Sequence, residues 1–310
     1  MLERAAGVDQ ERDVRLAIGS ATDAGGREEN EDALFAGDLA PAVGDLAGTE
    51  AVRLIAVADG MGGYQRGEVA SAIAIDTLRK VLVEIDTTDP AAALKQAFRR
   101  ANQAIFADGI ANGAPAEMGT TLVAGLIRGK YATIANVGDS RAYLVRADRL
   151  TQITKDHSLV EEEVARGALT TDQARRSPHR NILTHALGNQ ERLDGKLPNI
   201  FELTLLPEDR LLLCSDGFHG VVPEADMVGV LLTTEAAGAA KRLVALAVER
   251  GTTDNVSAVV VEAQPTRVSV IVPPERPSVA AGRNAYLVPA LVTLGAVLFI
   301  VLVILALTLL

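Results

Sequence analysis

Apolar and polar positions along the chain follow two rhythms. Short runs, several of them alternating or β-branched, mark strand candidates at "RLAIGSA", "DALFAG", "RLIAVAD", "TLVAGLI", "YATIANVG", "RAYLVRA", "RLTQIT", "RLLLCSD" and "NVSAVVVEA". Recurrence three or four residues apart predicts helices over "GEVASAIAIDTLRKVLVEI", "PAAALKQAFRRANQAIFADGI" and "EAAGAAKRLVALAVER". No fixed repeat period links these segments, so one domain is expected between Val14 and Ala263. The strands come in adjacent pairs with helices before and between them. That order favours an α+β fold, antiparallel sheets covered by helices, over a doubly wound parallel sheet. The polar interlude "DHSLVEEEVARGALTTDQARRSPHRN" interrupts the strands with helix-forming and turn-forming residues and reads as an inserted flap, about 159–181.

The two ends differ from the middle and from each other. Residues 1–13 are a charged tail without the apolar run of a signal peptide, so we expect nothing to direct the main domain outward. Residues 286–310, "YLVPALVTLGAVLFIVLVILALTLL", carry no charge and would span roughly 36 Å as a helix from Leu287 onward, long enough for one C-terminal transmembrane helix. Pro289 and Gly295 are compatible with that reading, because transmembrane helices tolerate both. The preceding 264–285 is proline-rich and reads as an extended linker. Its Arg276 and Arg283 lie on the near side of the membrane, and the positive-inside tendency then predicts a single-pass cell-membrane protein with a cytoplasmic body.

Composition narrows the chemistry. With 310 residues, 48% of them apolar, the chain can bury a sizeable core. A formal charge of -10 and the lack of a Lys/Arg stripe argue against a nucleic-acid partner and favour cations, or segments that bring positive charge. A single cysteine, Cys214, excludes an intrachain disulfide.

Carboxylates recur where apolar runs end. "IAVADG", "LLLCSDG" and "GTTDNVSAVVV" place Asp59, Asp216 and Asp254 at predicted strand ends, and Glu31 and Asp32 open a strand in "REENEDALF". Taken singly, Asp before Gly is an ordinary turn former. Taken together, ionised acids at the edge of a low-dielectric core need a compensating cation, hydrogen-bond donors or protonation. A metal site answers that need, and an all-oxygen set without paired His or Cys points to Mg or Mn. Spacing alone leaves open whether these acids meet.

The blocks that carry them resemble the metal-dependent serine/threonine protein phosphatases of type 2C, in their bacterial form. In family order they read "TDAGGREENEDALF", "VADGMGG" followed by "GEVAS", "MGTTLV", "NVGDSRAYL", "ITKDHSLV", "ILTHALG", "LCSDG" and "GTTDNVSAVVV", and they cover roughly the whole of 14–263. The resemblance implies an α-β-β-α sandwich, two stacked antiparallel sheets flanked by helices, with two metal ions in a cleft at one end. It implies that Asp59 bridges both ions, that Gly60 offers its carbonyl, and that Asp216 and Asp254 complete the other site. Asp139 matches a position that helps hold a weaker third ion. Glu31 and Asp32 match an acidic pair that orders metal-bound waters, and Arg27 matches the arginine that binds the substrate phosphate. A planar guanidinium suits that task through two parallel hydrogen bonds.

The expected function is that of a membrane-tethered phosphatase, hydrolysing phosphoserine and phosphothreonine on proteins by attack of a metal-activated water. Its expected partners are phosphorylated proteins, membrane Ser/Thr kinases and their substrates, and lipid around 286–310. The alternative is a non-hydrolysing module on the same fold that binds phosphoproteins or scaffolds a complex; a full set of Asp59, Asp216, Asp254 and Arg27 favours the enzyme. Cys214 is read as a buried strand residue, since "CSDGFHG" lacks the phosphate-binding arginine of cysteine phosphatases. The sequence departs from the family pattern at Met61, which leaves the leaving-group acid unassigned, and at Tyr64, His185 and Gly220, the last of which bears on the third ion. His157, His179, His185 and His219 are taken as structural or surface residues.

Overall fold

The computed structural model describes residues 14–39, 51–62, 66–113 and 118–266, together with 300, 301, 303 and 304. In chain order the elements are β1 (Val14–Asp23), β2 (Asp32–Asp38), β3 (Val52–Gly62), α1 (Arg66–Glu84), α2 (Pro90–Ala111), β4 (Met118–Thr120), β5 (Leu122–Arg128), β6 (Tyr131–Val137), β7 (Arg141–Arg146) and β8 (Arg149–Gln152). There follow α3 (Leu159–Ala165), α4 (Thr171–Arg175), β9 (Asn199–Thr204), β10 (Arg210–Cys214), α5 (Asp216–His219), α6 (Glu224–Thr233), α7 (Ala236–Glu249) and β11 (Val256–Pro265). The chain divides into two compact units, Met1–Thr266 and Arg267–Leu310. In the second unit residues 300, 301, 303 and 304 are helical and exposed. Among the described residues no helix is long and apolar enough to cross a membrane, and most of 286–310 lies outside them.

Every strand pairing in the first unit's two sheets is antiparallel. One sheet has five strands in the order β1-β11-β10-β7-β8; the other has six, in the order β2-β3-β5-β6-β9 with β4 paired to β3. Strand alternation builds the layers. In β3, Leu54, Ala56 and Ala58 pack under α1 and α2, whereas Ile55 and Val57 face the opposite sheet. In β10, Leu212 and Cys214 pack under α6 and α7, and Leu211 and Leu213 face inward. Both faces of these strands are therefore apolar, which is why they read as continuous runs. The result is a sandwich of helices, sheet, sheet and helices.

Local chemistry fixes the outer helices. The Asp89 carboxylate accepts from the Ala92 N–H at 2.9 Å and Pro90 fills the first turn, so α2 starts where the sequence predicts. Inside the flap, Ser158 caps α3, and Thr170 with Gln173 forms a capping box on α4. The first and last strands pair along their length, from Val14↔Pro265 to Asp23↔Val256.

One placement differs from the sequence reading: Asp59 is not at a strand end. Gly60, Met61 and Gly62 continue β3 by pairing with Thr120, Gly119 and Met118 of β4, a three-residue strand too short to show periodicity. The strand "RLLLCSD" likewise stops at Cys214, and Asp216 opens the one-turn helix α5.

Candidate metal centre

The inter-sheet core ends in polar residues. Carried on by the period of two, the inward face that bears Ile55 and Val57 in β3 next bears Asp59. Asp32 of β2 stands directly opposite it in register, Asp32↔Asp59, which puts two acids on one face of one sheet. The same alternation carries Leu213 to Ser215, Val259 back to Ser257, Val123 back to Thr121 and Ala142 back to Ser140. Beyond the apolar core, both sheets thus contribute hydroxyls and carboxylates at the same end.

These groups are ordered by hydrogen bonds across the sandwich. The Ser215 hydroxyl donates to Asp32 Oδ2 at 2.8 Å while its oxygen accepts from the Ser257 N–H at 3.0 Å. The Ser257 hydroxyl lies 2.8 Å from Thr22 Oγ1, which also accepts from Asn30 Nδ2. The Asp59 N–H donates to Thr121 Oγ1 at 3.1 Å, and the Asp59 carbonyl accepts from Thr120 Oγ1 and from the Thr121 N–H. Asn255 stitches the segment bearing Arg27 and Glu31 to the start of β11. Its Nδ2 donates to the carbonyls of Ala24 and Glu29, and its Oδ1 accepts from the Glu31 N–H.

Arg27 sits at the rim with its side chain 52% exposed and pairs with Asp254 at 3.0 Å, across 227 residues of sequence. The Glu31 carboxylate accepts from the Gly67 N–H at the start of α1, where helix-end N–H groups favour an anion. Close packing also requires glycine at position 60. A Cβ there would lie 2.1 Å from the Gly67 carbonyl oxygen and 2.6 Å from that of Glu31, and a Cβ on Gly67 would meet Glu31 Oε1 at 2.6 Å. Glycine at 60 and 67 lets α1 seat against β3 and the Glu31 segment, rather than only clearing space for a ligand.

Electrostatics single out the same residues. Burial raises the Asp59 carboxyl well above the usual range, reinforced by the charges of Asp32, Asp216, Asp139 and Asp254. Burial also pushes Asp32 up to about 7, against the opposing Ser257 and Ser215 hydroxyls, and pushes Asp139 up to about 7 with Asp216 and Asp156 adding to it. Asp216 is raised by burial and then by Asp254. The acids at positions 32, 59, 139, 216 and 254 are thus close enough to oppose one another's ionisation. Asp32 Oδ1 is buried and has no hydrogen-bond partner. An orphaned carboxylate oxygen among mutually repelling acids is what hard divalent cations satisfy, and the donors are all oxygen. Among the described residues no three such side chains are already drawn into a closed ligand set, and Asp254 is turned to Arg27.

The histidines separate by place. His179 is exposed in the flap. The His219 Nε2–H donates to the Asp139 carbonyl at 3.1 Å, and burial keeps the ring neutral. His157 accepts at Nδ1 from the Gly138 N–H, and burial followed by the neighbouring His185 pushes it down to about 4. Cys214 is buried in β10 with its thiol raised by burial, which makes it inert. Sequence reasoning missed Ser215, Ser257, Thr121 and Asn255. Extending the alternation past the apolar runs would have pointed to the first three; nothing in the pattern marked Asn255 except its place beside Asp254.

Comparison with known proteins identifies relatives of this chain. The model of the protein phosphatase 2C family matches residues 17–166. The serine/threonine protein phosphatase PstP of Mycobacterium tuberculosis is 37% identical over 236 residues, 76% of this chain and 42% of that protein. The serine/threonine phosphatase stp of Listeria monocytogenes is 39% identical over 184 residues, 57% of this chain and 71% of that protein. The chain therefore spans less than half the length of the first relative. A solved catalytic domain of the serine/threonine protein phosphatase PstP, in complex with two manganese ions, superposes with a TM-score of 0.69 at 36% identity, covering 81% of this chain and 99% of that one.

Proposed function

The chain belongs to the protein phosphatase 2C family, and from that premise we propose that it hydrolyses phosphoserine and phosphothreonine on proteins with a pair of divalent cations, Mn or Mg. The observation that carries the proposal is the meeting of Asp59, Asp32, Asp216 and Asp254 at one end of the sandwich, with Asp32 Oδ1 buried and unpartnered. Asp59, the Gly60 carbonyl, Asp216 and Asp254 would hold the cation pair. Asp139 is assigned to a looser third ion. When bound, the cations lower the pKa of water into the neutral range and offset charge on phosphate oxygens.

This chain's own residues do the rest. Arg27, half exposed at the rim, is placed to grip the phosphate through its guanidinium fork once its bond to Asp254 is exchanged. Glu31 and Asp32 hold water in line, one oriented by the Gly67 N–H and the other by the Ser215 hydroxyl. The neck of the flap adjoins the Asp139 turn through His157 and Gly138, and the peptide around the phosphorylated residue would pass on that side.

A membrane tether completes the proposal. Residues 286–310 form the anchor and 264–285 the linker, with the domain on the cytoplasmic side. Confinement to two dimensions raises its concentration near membrane Ser/Thr kinases and their substrates.

Turnover of p-nitrophenyl phosphate and of a phosphothreonine peptide, with Mn and then with chelator, tests the chemistry. We expect activity with Mn and none after chelation; turnover that survives chelation, or none with Mn, overturns it. Asp59→Asn should lower activity by more than about 100-fold, beyond what loss of an outer hydrogen bond costs, while circular dichroism stays unchanged. Residues 1–310 should sediment with membranes and residues 1–266 should not.

A further inference from the structure

We propose that His157 is a positioning residue that pins the base of the flap to the turn carrying Asp139. The flap leaves the domain at His157 and Ser158 and returns at Ile182 to His185. A short ladder closes its neck: the Leu159 N–H donates to the Ile182 carbonyl at 2.9 Å, the Thr184 N–H to the His157 carbonyl at 2.8 Å, and Ser158 bridges Leu183.

Among the described residues, His157 ties this neck to the β6–β7 turn in both directions. Its N–H donates to the Gly138 carbonyl at 3.0 Å, and its Nδ1 accepts from the Gly138 N–H at 3.0 Å. Gly138 has φ +99°, a conformation that side chains resist and that glycine adopts without strain, so the turn can present both its N–H and its carbonyl to His157. The remaining edges of the ring are also engaged. The ring of His185, on the returning limb, packs edge-on with centroids 5.4 Å apart, and the Asn199 amide of β9 lies 2.9 Å from Nε2. Because Nδ1 accepts, Nε2 carries the proton and faces Asn199 Nδ2, and a half-turn of that side-chain amide brings Oδ1 to accept from it.

One imidazole therefore touches the outgoing limb, the returning limb, β9 and the residue before Asp139. The next link is already made, since the Asp139 carbonyl accepts from His219 of α5, the short helix that begins with Asp216. A substrate that loads the flap pulls on the Asp139 turn through His157. The kinetic consequence rests on the phosphatase reading; the mechanical one does not.

The test compares His157→Asn, His157→Gln and His157→Ala in the full chain. The Asn amide oxygen falls near the position of Nδ1 and keeps the Gly138 bond, whereas Gln reaches toward Nε2 and loses it. The first readout is trypsin cleavage at Arg166, Arg175, Arg176 and Arg180, all exposed in the flap. We expect His157→Gln and His157→Ala to be cut about 5–20-fold faster, the scale of leaving a buried N–H unpaired, and His157→Asn to be cut within about twofold of the unaltered protein. The second is the KM for a phosphothreonine peptide, which should rise in His157→Gln by a larger factor than kcat falls. Equal cleavage of the Asn and Gln variants overturns the pin, as does cleavage of His157→Gln at the unaltered rate. If His157→Ala fails to fold, the Asn and Gln pair still decides. Loss of turnover in the unaltered protein would strike at the function proposed above, leaving the proteolysis result to judge His157.

Discussion

Ser215 shows how one hydroxyl governs a carboxylate that it does not replace. It holds Oδ2 of Asp32 at 2.8 Å and leaves Oδ1 bare and buried. Removing it frees the carboxylate to rotate. Ser215→Ala should therefore weaken Mn affinity, measured by calorimetry, by about 10–100-fold, the usual cost of losing a partner that orients a ligand. Protonation belongs to the same scale. Asp32 and Asp139 are each held up to about 7, above the 3.8 of an unperturbed carboxyl, so the folded chain binds their protons more tightly than the unfolded chain does. Their contribution to stability is full below pH 3.8 and is lost as pH rises through about 7. His157, pushed down to about 4, and His219 act with the opposite sign, but mainly below about 6.5, where the unfolded histidines take up protons. Between pH 6.5 and 8 the histidine contribution fades and the carboxyls outweigh it. The cation-free protein should melt at a falling temperature across that interval, and Asp32→Asn should flatten the slope in differential scanning fluorimetry. Mn binds the ionised acids, so the stabilisation it confers should grow over the same range.

Elements reach the site through backbone proximity as much as through side chains. The Gly67 carbonyl fills the space that a Cβ on Gly60 would need, 2.1 Å away, so Gly60→Ala must push α1 off β3. We expect a loss of about 1–3 kcal/mol in urea melts, in the range of overpacking, with a parallel loss of Mn affinity because Glu31 is bonded to that helix start. This scale also divides what the sequence revealed from what it hid. The long helices and most strands were visible because their apolar periods are strong, and α2 even carried its cap and proline in view. β4 was invisible: three residues have no period, and only the pairing with β3 makes them a strand. β9, "NIFELT", has no fully buried position and borrows its order from β6. The acids were legible as residues at the ends of apolar runs. Their meeting place was not, because it depends on the register that sets Asp32 against Asp59 and on the stacking that brings Ser215 over Asp32.

For the whole molecule, a chain of charge -10 concentrates uncompensated acid at one end of its sandwich, and that end should dominate its response to cations. Saturating Mn at about 100 times its dissociation constant stabilises a folded state by about 2.7 kcal/mol. A domain of this size shifts by about 2–4 °C per kcal/mol, so Mn should raise the melting temperature by about 5–10 °C at pH 7.5, and chelation should reverse it. Absence of any shift would detach the acidic cluster from metal binding.

The zipper between β1 and β11 sets an order of events in the cell. Arg27 lies just past the first strand and Asp254 just before the last, so neither finds the other until nearly the whole domain has emerged from the ribosome. A nascent chain stalled at residue 250 would carry most of its helices and no competent centre. Synthesis itself would keep the proposed chemistry silent until β11 is in hand.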